Sequence, residues 1–362
     1  MEPPTPTSSR RSSAGPDAPV VGTDGHVGAA GGPAASADDR NAPVRIRGCA
    51  WANGQGSTFE GLDGVKSTLE DPQARIWVDV VAPPDADLTE LARVLQLHPL
   101  IAGDIAERNQ RAKVAEVEGA IHVVMFWIAY EGEVSELEID IVLGQRSLLT
   151  VHQEGFDLRK LPQLRDDGAG LLKRGADFLL YAITDGIVDG YFPVLDKIED
   201  EIDDLQDAVV RTPSTWTLER LFTLKRELIG LRRAITPSRE VFNQLTNRDQ
   251  ALIAPEHVVY FRDVYDHLIR VTDELDNDRE LVAGTLEVYL STVNNNLSVI
   301  MKRLTGVTVI LAGIGAVAGI FGMSEAGTAL NNGEAGGFWI ITGMVVLGAA
   351  ATALVLRRID WI

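Results

Sequence analysis

Residues 304–323, LTGVTVILAGIGAVAGIFGM, carry no charged side chain, and neither do residues 338–356, FWIITGMVVLGAAATALVL. About twenty apolar residues in a helix span a hydrocarbon core of roughly 30 Å. Hydrocarbon offers no water to unpaired backbone groups, so such runs cross it as helices. The two runs therefore predict a membrane hairpin. Lys302 and Arg303 precede the first, Arg357 and Arg358 follow the second, and the connecting segment 324–337 holds Glu325 and Glu334 but no base. Bases collect on the cytoplasmic side. The pattern thus predicts cytoplasmic residues 1–303 and 357–362 and an outward-facing 324–337. Trp339 and Trp361 fall where an aromatic belt lies. Two spans cannot enclose an aqueous path, so a pore requires several chains around one axis. The first span suits its lining: Gly306, Gly313, Gly315, Gly319 and Gly322 permit close approach, and Thr305 and Thr308 offer hydroxyls. Tight packing between spans accounts for the same glycines, including the Gly315/Gly319 pair.

The chain has 362 residues, with 33 basic and 52 acidic side chains and a net charge of −19. Only four bases and three acids lie in 301–362, so the acidity belongs to the part before the hairpin. Such a balance argues against nucleic acid as a partner, because phosphate binding needs a basic face. One cysteine, Cys49, excludes a disulfide framework and a thiolate cluster. The six histidines form no His-x-x-x-His pair, and there is no Gly-Lys-Ser/Thr phosphate loop. No enzyme or ATP-driven reading follows.

Residues 1–44 hold seven of the sixteen prolines among Gly, Ser and Ala, and read as a solvated, disordered tail. No apolar core follows Arg10 and Arg11, so a signal peptide is not expected there. Residues 45–165 read as an α/β domain, a sheet with helices packed on it. RIWVDVV (75–81), IHVVMFWIAY (121–130), LEIDIVLGQ (137–145) and SLLTVHQ (147–153) are the predicted strands, with a hairpin turn at Gly144-Gln145-Arg146, and 86–97 has helical spacing. Residues 166–303 read as helical. One helix is expected over 178–210, its apolar stripe Ile187, Tyr191, Val194, Ile198, Ile202 and Leu205, its other face acidic from Asp196 to Asp207. That acidic face reads as solvated or as a weak attractor of cations. A second helix, 218–235, carries balancing bases and stops at Thr236-Pro237. No proline occurs from 256 to 362, so a third helix starting near Pro255 is expected to run as a stalk into the first span, a rod of roughly 100 Å. DELDNDRE (273–280) has the acids of a calcium loop without its turn glycine, and its carboxylates are expected to pair with Arg270 and Arg279 or to face water.

MKRLT (301–305), AGIFGM (318–323), the short acidic loop, the second span and the basic end resemble the CorA magnesium-transporter family, as do LHPLIAGDIAERNQRAKVAEVEG (97–119), KIEDEIDDLQDAV (197–209), LKRELIGLRRAITPSRE (224–240) and FRDVYDHLIRVTDELD (261–276). The resemblance covers about 45–362. It implies a funnel-shaped homopentamer in a bacterial-type inner membrane, whose first spans line a pore for passive Mg²⁺ influx, often with Co²⁺ or Ni²⁺. The pore-lining positions it implies are Ser298, Met301, Thr305, Thr308 and Ala312; the entrance is Gly322, Met323, Ser324 and Glu325. The family signature is Gly-Met-Asn where this chain has Gly322-Met323-Ser324, and Ser298 stands where the family has a pore-facing Asn. Mg²⁺ keeps its waters tenaciously, so a mouth that selects it holds the hydration shell, and a serine reaches less far toward it than an amide. The resemblance further implies that Asp104 and Asp263, with Asp266 nearby, bind regulatory metal between neighbouring subunits. Gly103 replaces the family's second acid there, which implies a weaker site. Two other readings remain at this stage: the same architecture preferring Zn²⁺, Co²⁺ or Ni²⁺, with proton coupling in one form of it, and a non-conducting membrane-anchored metal sensor.

Overall fold

The computed structural model describes residues 45–164, 168–247, 250–323, 336–359 and 361. The chain order is β1 (Arg45–Ala52), β2 (Gln55–Glu60), α1 (Gly61–Leu69), β3 (Arg75–Val81), α2 (Asp85–Val94), α3 (Pro99–Glu107), β4 (Lys113–Val117), β5 (Ala120–Tyr130), β6 (Val134–Leu143), β7 (Ser147–His152), α4 (Gly168–Arg174), α5 (Ala176–Asp189), α6 (Phe192–Arg211), α7 (Thr215–Asn247), α8 (Val258–Met323) and α9 (Gly336–Arg358).

The seven strands form one sheet in the order β2-β1-β3-β7-β6-β5-β4. Every pairing is antiparallel except β3 with β7. Alternation of side chains across the pleat gives the sheet two apolar faces. Ile76, Val78 and Val80 of β3, with Leu149 and Val151 of β7, pack against Val65 of α1, Leu88 and Leu91 of α2, and Ile101 and Ile105 of α3. Trp77, Met125, Ile139, Ile141 and Leu148 lie in the opposite core with α5 to α8. The result is an α/β/α sandwich. Each fully buried Leu or Ile here contributes about 1.5–3 kcal/mol of transfer free energy. The expected turn at 144–146 is present, closed by the Gly144 N–H on the Ser147 carbonyl at 2.7 Å.

Two helix expectations need correction. The segment 178–210 is two helices, because Gly190 and Tyr191 interrupt it. A side chain at position 190 would meet Trp127 at 2.5 Å, and the Tyr191 hydroxyl donates to the Phe126 carbonyl at 2.5 Å, so this turn is clamped to β5. Pro193 then occupies the first turn of α6, where a missing N–H costs nothing. The second correction concerns Pro237, which does not end its helix: α7 runs through it to Asn247. Leu231, Ile235, Val241, Phe242 and Leu245 continue the buried stripe on both sides, and that packing outweighs the local preference.

The third helix is unbroken, as its lack of proline predicts. The 66 residues of α8 make a rod of about 100 Å. Its first half is core: Phe261, Val264, Leu268, Val271, Leu275 and Val282 are fully buried. Beyond Tyr289 the rod leaves that core, and most of its large side chains, from Leu290 to Ile320, are exposed. Among the described residues, the apolar windows of two long helical segments differ in environment. The apolar window within 176–211 is 72% buried in the sandwich, whereas that within 255–320 is 6% buried. The former is a core helix and the latter is exposed over most of its surface. α9 contacts α8 and also exposes its large residues, among them Trp339, Leu347 and Leu354.

Candidate metal cluster and ion path

The last turns of α5 bring Asp185 and Asp189 onto one helix face, four residues apart. The facing surface of α8 supplies His267. One ligand atom from each of these three lies within 4.8 Å of the others. Gln163 fixes both carboxylates, its Nε2 donating to Asp185 at 3.1 Å and to Asp189 at 3.0 Å. His267 Nδ1 is 3.3 Å from Asp189, and its Nε2 is 4.0 Å from Asp263, one turn earlier on α8. Phe192 packs edge-on against the imidazole. Burial pushes the Asp185 carboxyl up, and the neighbouring Asp189 charge adds to that push. The same acids, after burial, drive the Tyr181 hydroxyl to about 12. This is an electronegative cluster with two carboxylates and one imidazole in reach of a single ion and a third carboxylate, Asp263, beside it, a donor set that suits a divalent cation.

Asp263 therefore belongs to a wider cluster than the sequence suggested. Its side chain is 63% exposed, and so open to a ligand or a second chain. Asp266, also on α8, is exposed. Asp104 sits on α3, where its Oδ2 accepts from Lys113 Nζ at 2.6 Å and lies 3.9 Å from His122. Its negative charge is thus already paired within the chain. Open space surrounds Gly103. Sequence reasoning passed over Asp185, Asp189 and His267. The available signal was TDGIVDG, two acids at helical spacing inside an otherwise apolar run, together with the i, i+4 pair Asp263/His267.

The expected ion path lies on the exposed half of α8. Ser298, Met301, Thr305, Thr308 and Ala312 recur at spacings of three and four, so they share one face, and Gly315, Gly319 and Gly322 continue it. All five are exposed, Met301 by 58%. The Ser298 and Thr308 hydroxyls donate to the carbonyls of Asn294 and Leu304, which leaves their oxygens as acceptors on the surface. A Cβ built at Gly315 or Gly319 meets nothing within 4 Å among the described residues. Gly322 and Met323 end the helix, while Ser324 and Glu325 lie outside the described residues.

A family model described as CorA-like Mg²⁺ transporter protein matches residues 72–358. The cobalt/magnesium transport protein CorA of Thermotoga maritima is 35% identical over 268 residues, 72% of this chain and 76% of that one. The protein of the same name from Methanocaldococcus jannaschii is 25% identical over 291 residues, 79% of this chain and 91% of its own. In fold, the chain is similar to the complete structure of the CorA magnesium transporter from Methanocaldococcus jannaschii, with a TM-score of 0.73 at 23% identity over 88% of this chain and 99% of that one.

Proposed function

Because this chain belongs to the CorA-like Mg²⁺ transporter family, a family of membrane transporters and not of enzymes, we propose that it forms a homopentamer that conducts Mg²⁺ passively into the cytoplasm. The observation that carries this reading is the exposed stripe of α8, Ser298 to Ala312, continued by glycines. Such a stripe of hydroxyls, one thioether and small residues is poorly matched to lipid but well matched to a hydrated path once five copies face inward. Conduction needs no ATP. A divalent ion entering an inside-negative cell gains about 4.6 kcal/mol per 100 mV.

Gating, in this proposal, is by cytoplasmic metal. Asp104 of one subunit and Asp263 of its neighbour hold the ion between them, with Asp266, Asp185, Asp189 and His267 enlarging the acidic surface on the α8 side. Bound metal favours the closed ring; its loss leaves carboxylates that repel and bias the ring open. Purified protein in liposomes, under an imposed inside-negative potential, tests the reading: Mg²⁺ entry without ATP is expected, and none under any potential would refute it. Asp263→Asn is expected to raise flux at high internal Mg²⁺, and an unchanged inhibition curve in Asp104→Asn/Asp263→Asn would remove the gate from the proposal.

The Gly322-Met323-Ser324 sequence favours a second reading, the same architecture with a different preferred cation such as Co²⁺, Ni²⁺ or Zn²⁺. A hydroxyl sits nearer its own backbone than an amide oxygen does, so a ring of five serines is wider and grips the Mg²⁺ hydration shell less. Ser324→Asn is expected to tighten apparent Mg²⁺ affinity and sharpen rejection of competing cations. Equal competition by Co²⁺ and Zn²⁺ in both proteins would show that the ion is chosen elsewhere.

A further inference from the structure

A cleft of about 560 Å³ opens between α6 and α8, lined by Leu195, Asp196, Glu199, Glu274, Asn277, Asp278, Glu280 and Leu281. Asp196 and Glu199 come from α6 and the remaining acids from α8. Asp278 is only 5% exposed, yet its Oδ2 has no hydrogen-bond partner among the described residues. A buried, unpaired carboxylate is costly and calls for a compensating group. The nearby bases do not supply one. Arg279 and Arg232 both bind Asp276, at 2.8 and 2.7 Å. Arg270 lies over the Phe192 ring, 5.3 Å from its centroid. The expectation that the acids of 273–280 pair with Arg270 and Arg279 or face water thus holds for Asp276 with Arg279, for Glu274 in the field of Arg270 and for the exposed Asp273 and Glu280, whereas the buried Asp278 has no base paired with it among the described residues.

We propose that this cleft is a second divalent-cation site, distinct from the Asp185 cluster, with Asp278 at its floor and Glu199, Glu274 and Asp196 at its rim. The lining offers carboxylate oxygens and the Asn277 amide but neither imidazole nor thiolate, which selects a hard cation over Zn²⁺. Among the described residues, only the Asp185 cluster draws three such groups within 4.8 Å, so the acids of the cleft stand too far apart for a closed inner shell. They match instead an ion that keeps its waters, as Mg²⁺ does. Six waters at ~30 Å³ each fit within the cleft volume. The burial of Asp278, followed by the charges of Glu199 and Glu274, pushes its carboxyl to about 7, and a bound cation relieves that crowding. An ion here would cross-link α6 to the rod that leads toward the first span. The site requires nothing of the transport reading.

The test uses the full-length protein, stripped of metal, with Mn²⁺ as a paramagnetic stand-in for Mg²⁺. Bound Mn²⁺ per chain is counted by spin resonance and then displaced with Mg²⁺. Asp278→Asn is expected to lose one class of site and Asp263→Asn a different one, with the double variant losing both. Glu199→Gln, on the exposed rim and so neutral to folding, is expected to weaken the same class by about tenfold or more, the range seen when supporting ligands are removed. Mg²⁺ should also raise the melting temperature of the wild type more than that of Asp278→Asn. Identical Mn²⁺ counts and affinities in wild type, Asp278→Asn and Glu199→Gln would overturn the proposal, leaving Asp278 as a neutral, buried carboxyl.

Discussion

Asp79 is fully buried in the middle of β3, and its charge survives because three elements serve it. Thr150 donates to it from β7 at 2.7 Å, Arg47 from β1 at 3.1 Å, and His152 lies 3.3 Å away. Burial alone would raise this carboxyl; contacts with His152, then Thr150 and Arg47, overcome that and hold it below the usual range. Burial would likewise lower His152, and Asp79 instead raises it. The aspartate's share of stability is present above its ordinary value near 3.8 and is lost as pH falls through its lowered one. The histidine's share is present below 6.5 and is lost as pH rises through its raised one. Asp79→Ala leaves the buried His152 without its carboxylate and Arg47 with Asp157 as its one remaining acid, and should cost about 3–5 kcal/mol, read as a shift of the urea midpoint by the fluorescence of Trp77, whose indole donates to Thr150. Glu138 acts in the opposite sense. Burial and then Asp140 push it to about 7, so its contribution is present below about 4.5 and is lost as pH rises toward 7. Glu138→Gln should flatten the stability profile across that interval, and an unaltered profile would show that another group sets it. Neither cluster was legible in the sequence. Asp79 reads there as one polar residue in an apolar strand, and its partners are 32, 71 and 73 positions away. The Asp185 cluster escaped for the same reason, since residues 163 and 267 meet only through tertiary packing.

Elements with strong local signals were legible: β3, β5, β6, β7 and the uninterrupted α8. Others carried a signal that alternation alone does not use. Asn53-Gly54, both at positive φ, join β1 and β2 as a two-residue hairpin loop, and Glu118-Gly119 do the same for β4 and β5. Those loops place an edge strand at each end of the sheet, and the strands themselves are too short or polar to stand out. Helix ends were misread where tertiary contacts decided them. At Gly190 the clamp to Trp127 ended a helix that periodicity continued; at Pro237 the buried stripe continued a helix that proline should stop. Pro237 denies the Arg233 carbonyl its i+4 donor, a defect worth up to about 3 kcal/mol in a helix interior. Pro237→Ala should therefore raise the unfolding midpoint of the full chain, by about 1–3 kcal/mol. A lowered midpoint would mean that the proline ring itself stabilises α7.

Over the whole chain the two kinds of surface are segregated. Acids crowd the part before residue 300, while α8 beyond Tyr289 and α9 present Leu, Ile, Val, Met and Trp to their surroundings. Exposed apolar area on that scale is foreign to a soluble monomer and matches a lipid environment. Membrane insertion fixes an orientation, and the bases at 302–303 and 357–358 against the acids at 325 and 334 predict which one: the sandwich inside, 324–337 outside. The chain permits a clean measurement because Cys49 is its single cysteine and is buried. In a Cys49→Ala background, Asn331→Cys should react with a membrane-impermeant maleimide added to intact cells. Asp207→Cys, on the exposed face of α6 with a side chain 68% open, should react only after lysis. The reverse pattern would invert the topology, and with it the side on which metal is sensed, since the carboxylates of Asp185, Asp263 and Asp278 would then sample external metal in place of the cytoplasmic pool. Labelling of both positions in intact cells would instead mean that the two apolar helices do not form a membrane-crossing hairpin.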